Sequence, residues 1–288
     1  MFNKLLKYEA RSIWRYWWII AVSIIGLSFV GAFALRFTLT AVEHDVDEMA
    51  FLVAIAMMVV GISIFCILAS LLITEILVFV RYYKNFFTDE GYLTFTLPVS
   101  RQKMLAAKMI NGLIWTLAHM LLIALCGLFI FGIISPPPQA TGRLINFIVF
   151  KQLGDLLSQV WNSVGGWLIV YIVEALMFIV AALAFSQSLL YFCITFGSVI
   201  AKKAKLLAAI GIYYAVNFTL SIISQVFGII FIGIIAKGIA YLFPSDSPFA
   251  ANAASSLIVL IIICITATLA AIAYFTTQNL IERKLNLP

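Results

Sequence analysis

The chain has 288 residues, of which 64% are hydrophobic and only 10% charged, and its mean hydropathy is +1.13. A water-soluble domain carries about 25% charged residues, so the composition excludes one and marks an all-α integral membrane protein. The net charge of +6 follows the loops and carries no nucleic-acid signal.

The chain opens with Phe2, Leu5, Leu6, Ile13, Trp14 and Trp17 at helical spacing on one face, and Lys4, Lys7, Arg11 and Arg15 on another. That pattern predicts an interfacial amphipathic helix over 1–16, its apolar face among the headgroups and its cations toward anionic membrane lipid. It serves either as a plain anchor or as an elbow that moves with the first span. The uncharged run 16–35 is longer than the roughly 7–15 apolar residues of a signal peptide. Despite Ala32-Phe33-Ala34, the expectation is therefore an uncleaved first transmembrane helix.

A spanning helix needs about 20 apolar residues. Six runs qualify, over 17–35, 50–80, 109–134, 167–192, 206–235 and 255–276. Of the 18 Lys and Arg residues, 14 fall in 1–16, 81–108, 201–205 and 279–288. The other four are Arg36, Arg143, Lys151 and Lys237. Positive charges collect on the cytoplasmic side, which predicts that both termini and the 81–108 loop are cytoplasmic, and that the whole chain is one transmembrane domain.

The acidic run 43–48 then falls outside and reads as a solvated loop, with a divalent-cation site as the alternative. Pro136-Pro137-Pro138 stops the third helix, since proline supplies no N–H donor. The segment 144–161 predicts a surface helix. Between 237 and 251, Pro244 and Pro248 break the chain, and a re-entrant turn would be tolerated there only if buried in protein.

Motifs for chemistry are absent. There is no phosphate loop, no H-E-x-x-H and no G-x-S-x-G, so the chain reads as a non-enzyme with no metal and no cofactor of its own. Cys66, Cys126, Cys193 and Cys264 all lie in apolar runs and read as small hydrophobes. His119 lies in the third span without a second ligand at helical spacing and reads as a hydrogen-bonded packing residue. Two carboxylates lie inside spans: Glu75 is about 9 Å up its helix from Arg81, and Glu174 about 10 Å in from Trp167. Charge is costly in the bilayer and marks function, so Glu75 and Glu174 are candidates for lining a translocation path. Glu75 has a helix-end or cation partner as the alternative, and Glu174 a structural role.

The longest polar interruption is 81–108. Thr88-Asp89-Glu90-Gly91 reads as a turn or cap opening a short helix. Tyr92, Leu93, Phe95 and Leu97, with Thr94 and Thr96 between them, make a compact aromatic and aliphatic patch, and Pro98 ends it. Such a patch is either tucked under the chain's own bundle or a docking knob for another protein.

Arg81-Tyr82-Tyr83-Lys84-Asn85 followed by Asp89-Glu90-Gly91-Tyr92-Leu93-Thr94-Phe95-Thr96-Leu97-Pro98-Val99-Ser100 resembles the first intracellular loop of permease subunits of type 2 ABC exporters. It is most like those of bacterial antimicrobial-peptide and phenol-soluble modulin peptide-toxin exporters. The motif covers about 20 residues; the six spans and inside termini agree with it along the whole chain. The resemblance implies a multi-pass protein of the bacterial cytoplasmic membrane. Asp89 through Leu97 would be the coupling segment for a separate ATPase, present in two copies, which carries ATP and Mg. A second permease, a like copy or a paralogue, would complete the path for an exported peptide cargo. Two other readings stand beside it. One is a non-transporting immunity or sensor protein whose inner loop binds a regulator. The other is an ion-coupled carrier working alone, which would need more intramembrane ionisable groups than Glu75, Glu174 and His119.

Overall fold

The computed structural model describes residues 2–43, 50–96, 98–134, 148–201, 204–242 and 248–283. All regular structure among them is helical: α1 (Phe2–Glu43), α2 (Ala50–Phe87), α3 (Asp89–Phe95), α4 (Arg101–Ile134), α5 (Ile148–Val164), α6 (Trp167–Ile200), α7 (Lys205–Leu242) and α8 (Pro248–Arg283). Six of these, all but α3 and α5, are long and apolar enough to cross a membrane. Their outward surfaces stay apolar, with Phe51 76%, Phe65 71% and Phe218 69% exposed. In water such surface would be unfavourable by about 25 cal/mol per Å², so the molecule is a multi-pass membrane protein. The acidic run 44–48, Pro136 to Pro138 and Pro244 lie outside the described residues.

Several helices extend past the apolar runs that predict them. No proline or glycine occurs between residues 2 and 25, and nothing interrupts the backbone ladder there. The 1–16 segment and the first span are accordingly one continuous helix, α1. In the same way α4 begins at Arg101, three residues after Pro98, and α6 runs on to Ile200. Hydropathy sets which turns sit in lipid; the hydrogen-bond ladder runs on until a cap or a breaker. Of the helix expected over 144–161, residues 144–147 lie outside the described set and the rest belongs to α5, which stops where Gly165 takes φ +62°, a left-handed conformation that costs glycine nothing. Residues 237–242 continue α7, and 248–251 open α8.

The chain divides into two compact units. One comprises Leu6–Val78 and Ile114–Ser163, hence most of α1, the first part of α2, the later part of α4, and α5 up to Ser163. Its apolar centre is Ile24, Ile67 and Cys126, flanked by Ile20, Leu27, Leu122, Ile123 and Ile130. Small residues let α1 pack closely: Ala21, Ser28 and Ala32 are at most 2% exposed. Arg36 Nη1 donates to Ile133 O at 3.3 Å, which places a cation at the negative end of α4. The other unit comprises Met1–Leu5, Phe79–Leu113 and Val164–Pro288. Within it α6 packs most extensively on α8 and next on α7, and the short helix α3 is carried between the flanking turns of α2 and α4.

Candidate functional site

The 81–108 segment folds as its residue types dictate. α2 ends in an aromatic run, Tyr82, Tyr83, Phe86 and Phe87, interrupted by Lys84 and Asn85. Thr88 then leaves helical geometry (φ −116°, ψ −173°), and its hydroxyl donates back to Lys84 O rather than capping α3. The expected side-chain cap by Thr88 is therefore not made. The α3 helix closes instead through Gly91 N donating to Thr88 O at 2.7 Å. Gly91 is buried, and a Cβ there would sit 2.8 Å from Phe86 O, so only glycine fits this close approach of α3 to α2. Thr94 donates to Glu90 O at 2.9 Å.

One cation, Arg101, touches α3 directly, and a second, Lys108, reaches it through Asn85. With its amide nitrogen toward the acid, Asn85 donates to Glu90 Oε2 at 3.0 Å and accepts from Lys108 Nζ at 2.8 Å. Lys108 is only 5% exposed, and its Nζ also lies 5.2 Å from the Phe86 ring centre. Arg101 lies with its guanidinium 5.0 Å over the Phe95 ring, and Phe95 stacks on Phe86 at 5.3 Å. Phe95, expected as a docking anchor, is thus half-buried and spends one face on Phe86. Glu90 and Thr96 are exposed and Thr94 is half-buried. The side chains of Asp89, Tyr92 and Leu93, and all of Leu97, lie outside the described set.

Beneath α3 the aromatic run is close-packed. Phe86 is 0% and Tyr82 1% exposed. Tyr82 meets Phe86 edge-on at 5.1 Å and stacks on Tyr191 of α6 at 4.0 Å. Its hydroxyl lies 2.8 Å from Thr195 Oγ1. Thr195 already donates its own proton to Tyr191 O at 2.8 Å, so Tyr82 is the donor in that pair.

The two intramembrane carboxylates belong to different units and each has a hydroxyl partner. Thr116 donates to Glu75 Oε1 at 3.2 Å, and Ser256 of α8 donates to Glu174 Oε1. Glu174 is 3% exposed, and Oε2 of each carboxylate is buried with no partner. Tyr171, about one turn from Glu174 on α6, donates to Asn252 Oδ1 at 3.0 Å and lies 2.9 Å from Ser255 Oγ. The result is a polar seam between α6 and α8. Fully buried His119 has Ser70 Oγ 3.0 Å from Nε2 and Thr74 Oγ1 3.2 Å from Nδ1. Each ring nitrogen has a hydroxyl within hydrogen-bond distance, which suits packing between α2 and α4. Among the described residues no cluster of three His, Cys, Asp or Glu side chains could hold a metal.

The sequence marks Tyr82 and Asn85 only as part of the 81–85 motif, and gives no role to Phe86, Arg101, Lys108, Tyr191 or Thr195. The aromatic density of 82–87 was a signal for the first of these, while the partners on α6 and α8 lie too far along the chain to be visible. Compared with family models, curated proteins and solved structures, the chain matches none.

Proposed function

We propose that this protein is the permease subunit of an ATP-driven exporter of the type 2 ABC kind, with α3 as the contact for a separate ATPase. Both termini and α3 face the cytoplasm, on the charge distribution, with the basic start of α1 at the anionic inner face. Six membrane-crossing helices are half of what two-permease exporters use, so the working assembly has two permeases and two ATPases, in a bacterial plasma membrane. ATP and Mg are bound by the ATPase; this chain contributes no nucleotide motif and no catalysis. The observation that carries the reading is a seven-residue helix, Asp89–Phe95, set between two membrane-crossing helices and fixed at both ends. A loop with no mechanical task would have no use for a buried glycine, a stacked phenylalanine and two anchoring cations.

Tyr92, Leu93 and Phe95 supply the aromatic and aliphatic residue types that dominate interface energies, and Asp89 and Glu90 suit basic residues on the partner. The cargo is an amphipathic or hydrophobic peptide of the antimicrobial or toxin class, because a hydrophilic solute would want a more polar lining than these spans offer. The buried free oxygens of Glu75 and Glu174 are acceptors that a cargo amide would find if the path opens beside them. The test is copurification of the ATPase, followed by hydrolysis assayed against a panel of peptides, sugars and amino acids. Tyr92→Ala with Phe95→Ala should leave membrane insertion unchanged, weaken copurification and abolish cargo-stimulated hydrolysis. Normal copurification and coupling in that double variant would contradict the assignment, and a loop that binds a non-ATPase regulator would support the immunity or sensor reading instead.

A further inference from the structure

We propose that Arg101 is a positioning residue that ties α3 to the last turn of α8, so that displacement of α3 is delivered to the C-terminal end of α8. This inference rests, for its functional meaning, on the coupling role given to α3. Its geometry stands on three contacts of one side chain. The guanidinium lies 5.0 Å over the Phe95 ring, and Nη1 donates to Ile281 O at 2.7 Å and to Glu282 O at 3.4 Å. Both carbonyls are among the last four of α8, which ends at Arg283. Such carbonyls have no donor within their own helix and form the negative end of its dipole. A cation there is stabilised doubly, by charge and by hydrogen bonding.

The chemistry needs arginine. A planar guanidinium can stack by its face on an aromatic ring while donating in its plane to oxygens. A lysine ammonium is a point charge that can cap the carbonyls but cannot also stack. Arg101 is moreover the first residue of α4, so its backbone moves with a third helix. On its other face Phe95 stacks on Phe86 at 5.3 Å, and Phe86 leads through Tyr82 to Tyr191 of α6. From this one side chain of α3 a contact path therefore reaches both α6 and α8, the pair that packs most extensively in the unit. The route to α6 is made of close-packed rings, which transmit displacement because interiors are nearly incompressible. The direct route to α8 runs through the Arg101 guanidinium, which one substitution can remove. An arginine that merely capped α8 would stabilise its last turn without making that turn sensitive to α3.

The deciding experiment is hydrogen exchange on the full chain in lipid nanodiscs, without ATPase, comparing the variants Arg101→Gln, Arg101→Lys and Phe95→Leu. Arg101→Gln should speed exchange in the last turn of α8 and in α3 by about tenfold, the scale of one lost charge-assisted hydrogen bond. Arg101→Lys, which can cap but not stack, should leave α3 fast and protect the α8 turn only in part, better than Arg101→Gln and less well than wild type. Phe95→Leu, which removes the ring beneath the guanidinium and leaves Arg101 in place, should also speed the α8 turn. An α8 turn indifferent to Phe95→Leu would overturn the inference and reduce Arg101 to a cap; so would unchanged α3 exchange in Arg101→Gln. A second arm adds the ATPase. There Arg101→Gln should retain copurification and lose cargo stimulation at least tenfold, a split that weakened folding would not produce; retained stimulation would overturn the inference. If no ATPase binds the wild-type chain while the exchange pattern holds, the link stands and the exporter reading falls.

Discussion

Gly91→Ala isolates the close approach of α3 to α2. Two effects of opposite sign act at this position. Alanine is the better helix residue by about 1 kcal/mol. Against that, the new Cβ would lie 2.8 Å from Phe86 O and 3.0 Å from Phe86 C. Those are backbone atoms of a residue that is 0% exposed, so neither can rotate away and α3 itself must lift. Overpacking of this kind costs about 1–3 kcal/mol, so the clash wins by about 1 kcal/mol, roughly fivefold in the opening equilibrium. Lifting α3 also strains the 2.7 Å bond from Gly91 N to Thr88 O. The assay is hydrogen exchange across 89–96, with Gly26→Ala as the control. Gly26 lies in α1, where a Cβ meets nothing within 4 Å, so the same substitution should slow local exchange there. Faster exchange at α3 with slower exchange near residue 26 is the expected pair. Greater protection of α3 in Gly91→Ala than in wild type, the gain that helix propensity alone predicts, would refute the packing argument.

Tyr82→Phe removes the donor to Thr195 and leaves a buried oxygen short of a partner, so stability should fall by about 1–1.5 kcal/mol; an unchanged melting temperature would show that the hydroxyl contributes nothing. Ser256→Ala takes away the donor to Glu174 Oε1 while Oε2 already has none, and leaving a buried acceptor unmet should cost about 1–3 kcal/mol of the α6 and α8 packing. A neutral result in thermal denaturation would mean that Glu174 is stabilised elsewhere. Glu174→Gln keeps an acceptor but removes the charge; if the carboxylate lines the cargo path, assembly should survive and cargo stimulation should change, and unaltered cargo dependence would confine Glu174 to the seam.

Much of the architecture is legible in the sequence, for reasons specific to membranes. An apolar run in lipid must satisfy its own backbone, so length and hydropathy alone mark the spanning helices. The ends are less legible, because Arg101 to Lys108 and Cys193 to Ile200 are helical outside the apolar runs. The short helix α3 is announced by Thr88-Asp89-Glu90-Gly91 at its start and Pro98 after it. Even so, the reason for Gly91 is a contact with Phe86 that no spacing rule contains. Periodicity tells which residues share a face of one helix, and is silent on which helix covers it. The partners of Arg101 are 180 and 181 residues away, and that of Glu174 is 82 away. The polar groups that organise the site were thus visible as residues, while their pairings were not.

The central claim is that α3 receives work from a separate ATPase. A photo-crosslinking residue placed at the exposed Glu90 position in the otherwise intact chain, expressed with its neighbouring genes and followed by native mass measurement in nanodiscs, tests this most directly. The account predicts a covalent adduct between this chain and an ATPase subunit, in an assembly of two permeases and two ATPases. A permease that carries out its function with no ATPase in the assembly and no adduct at this position would contradict it.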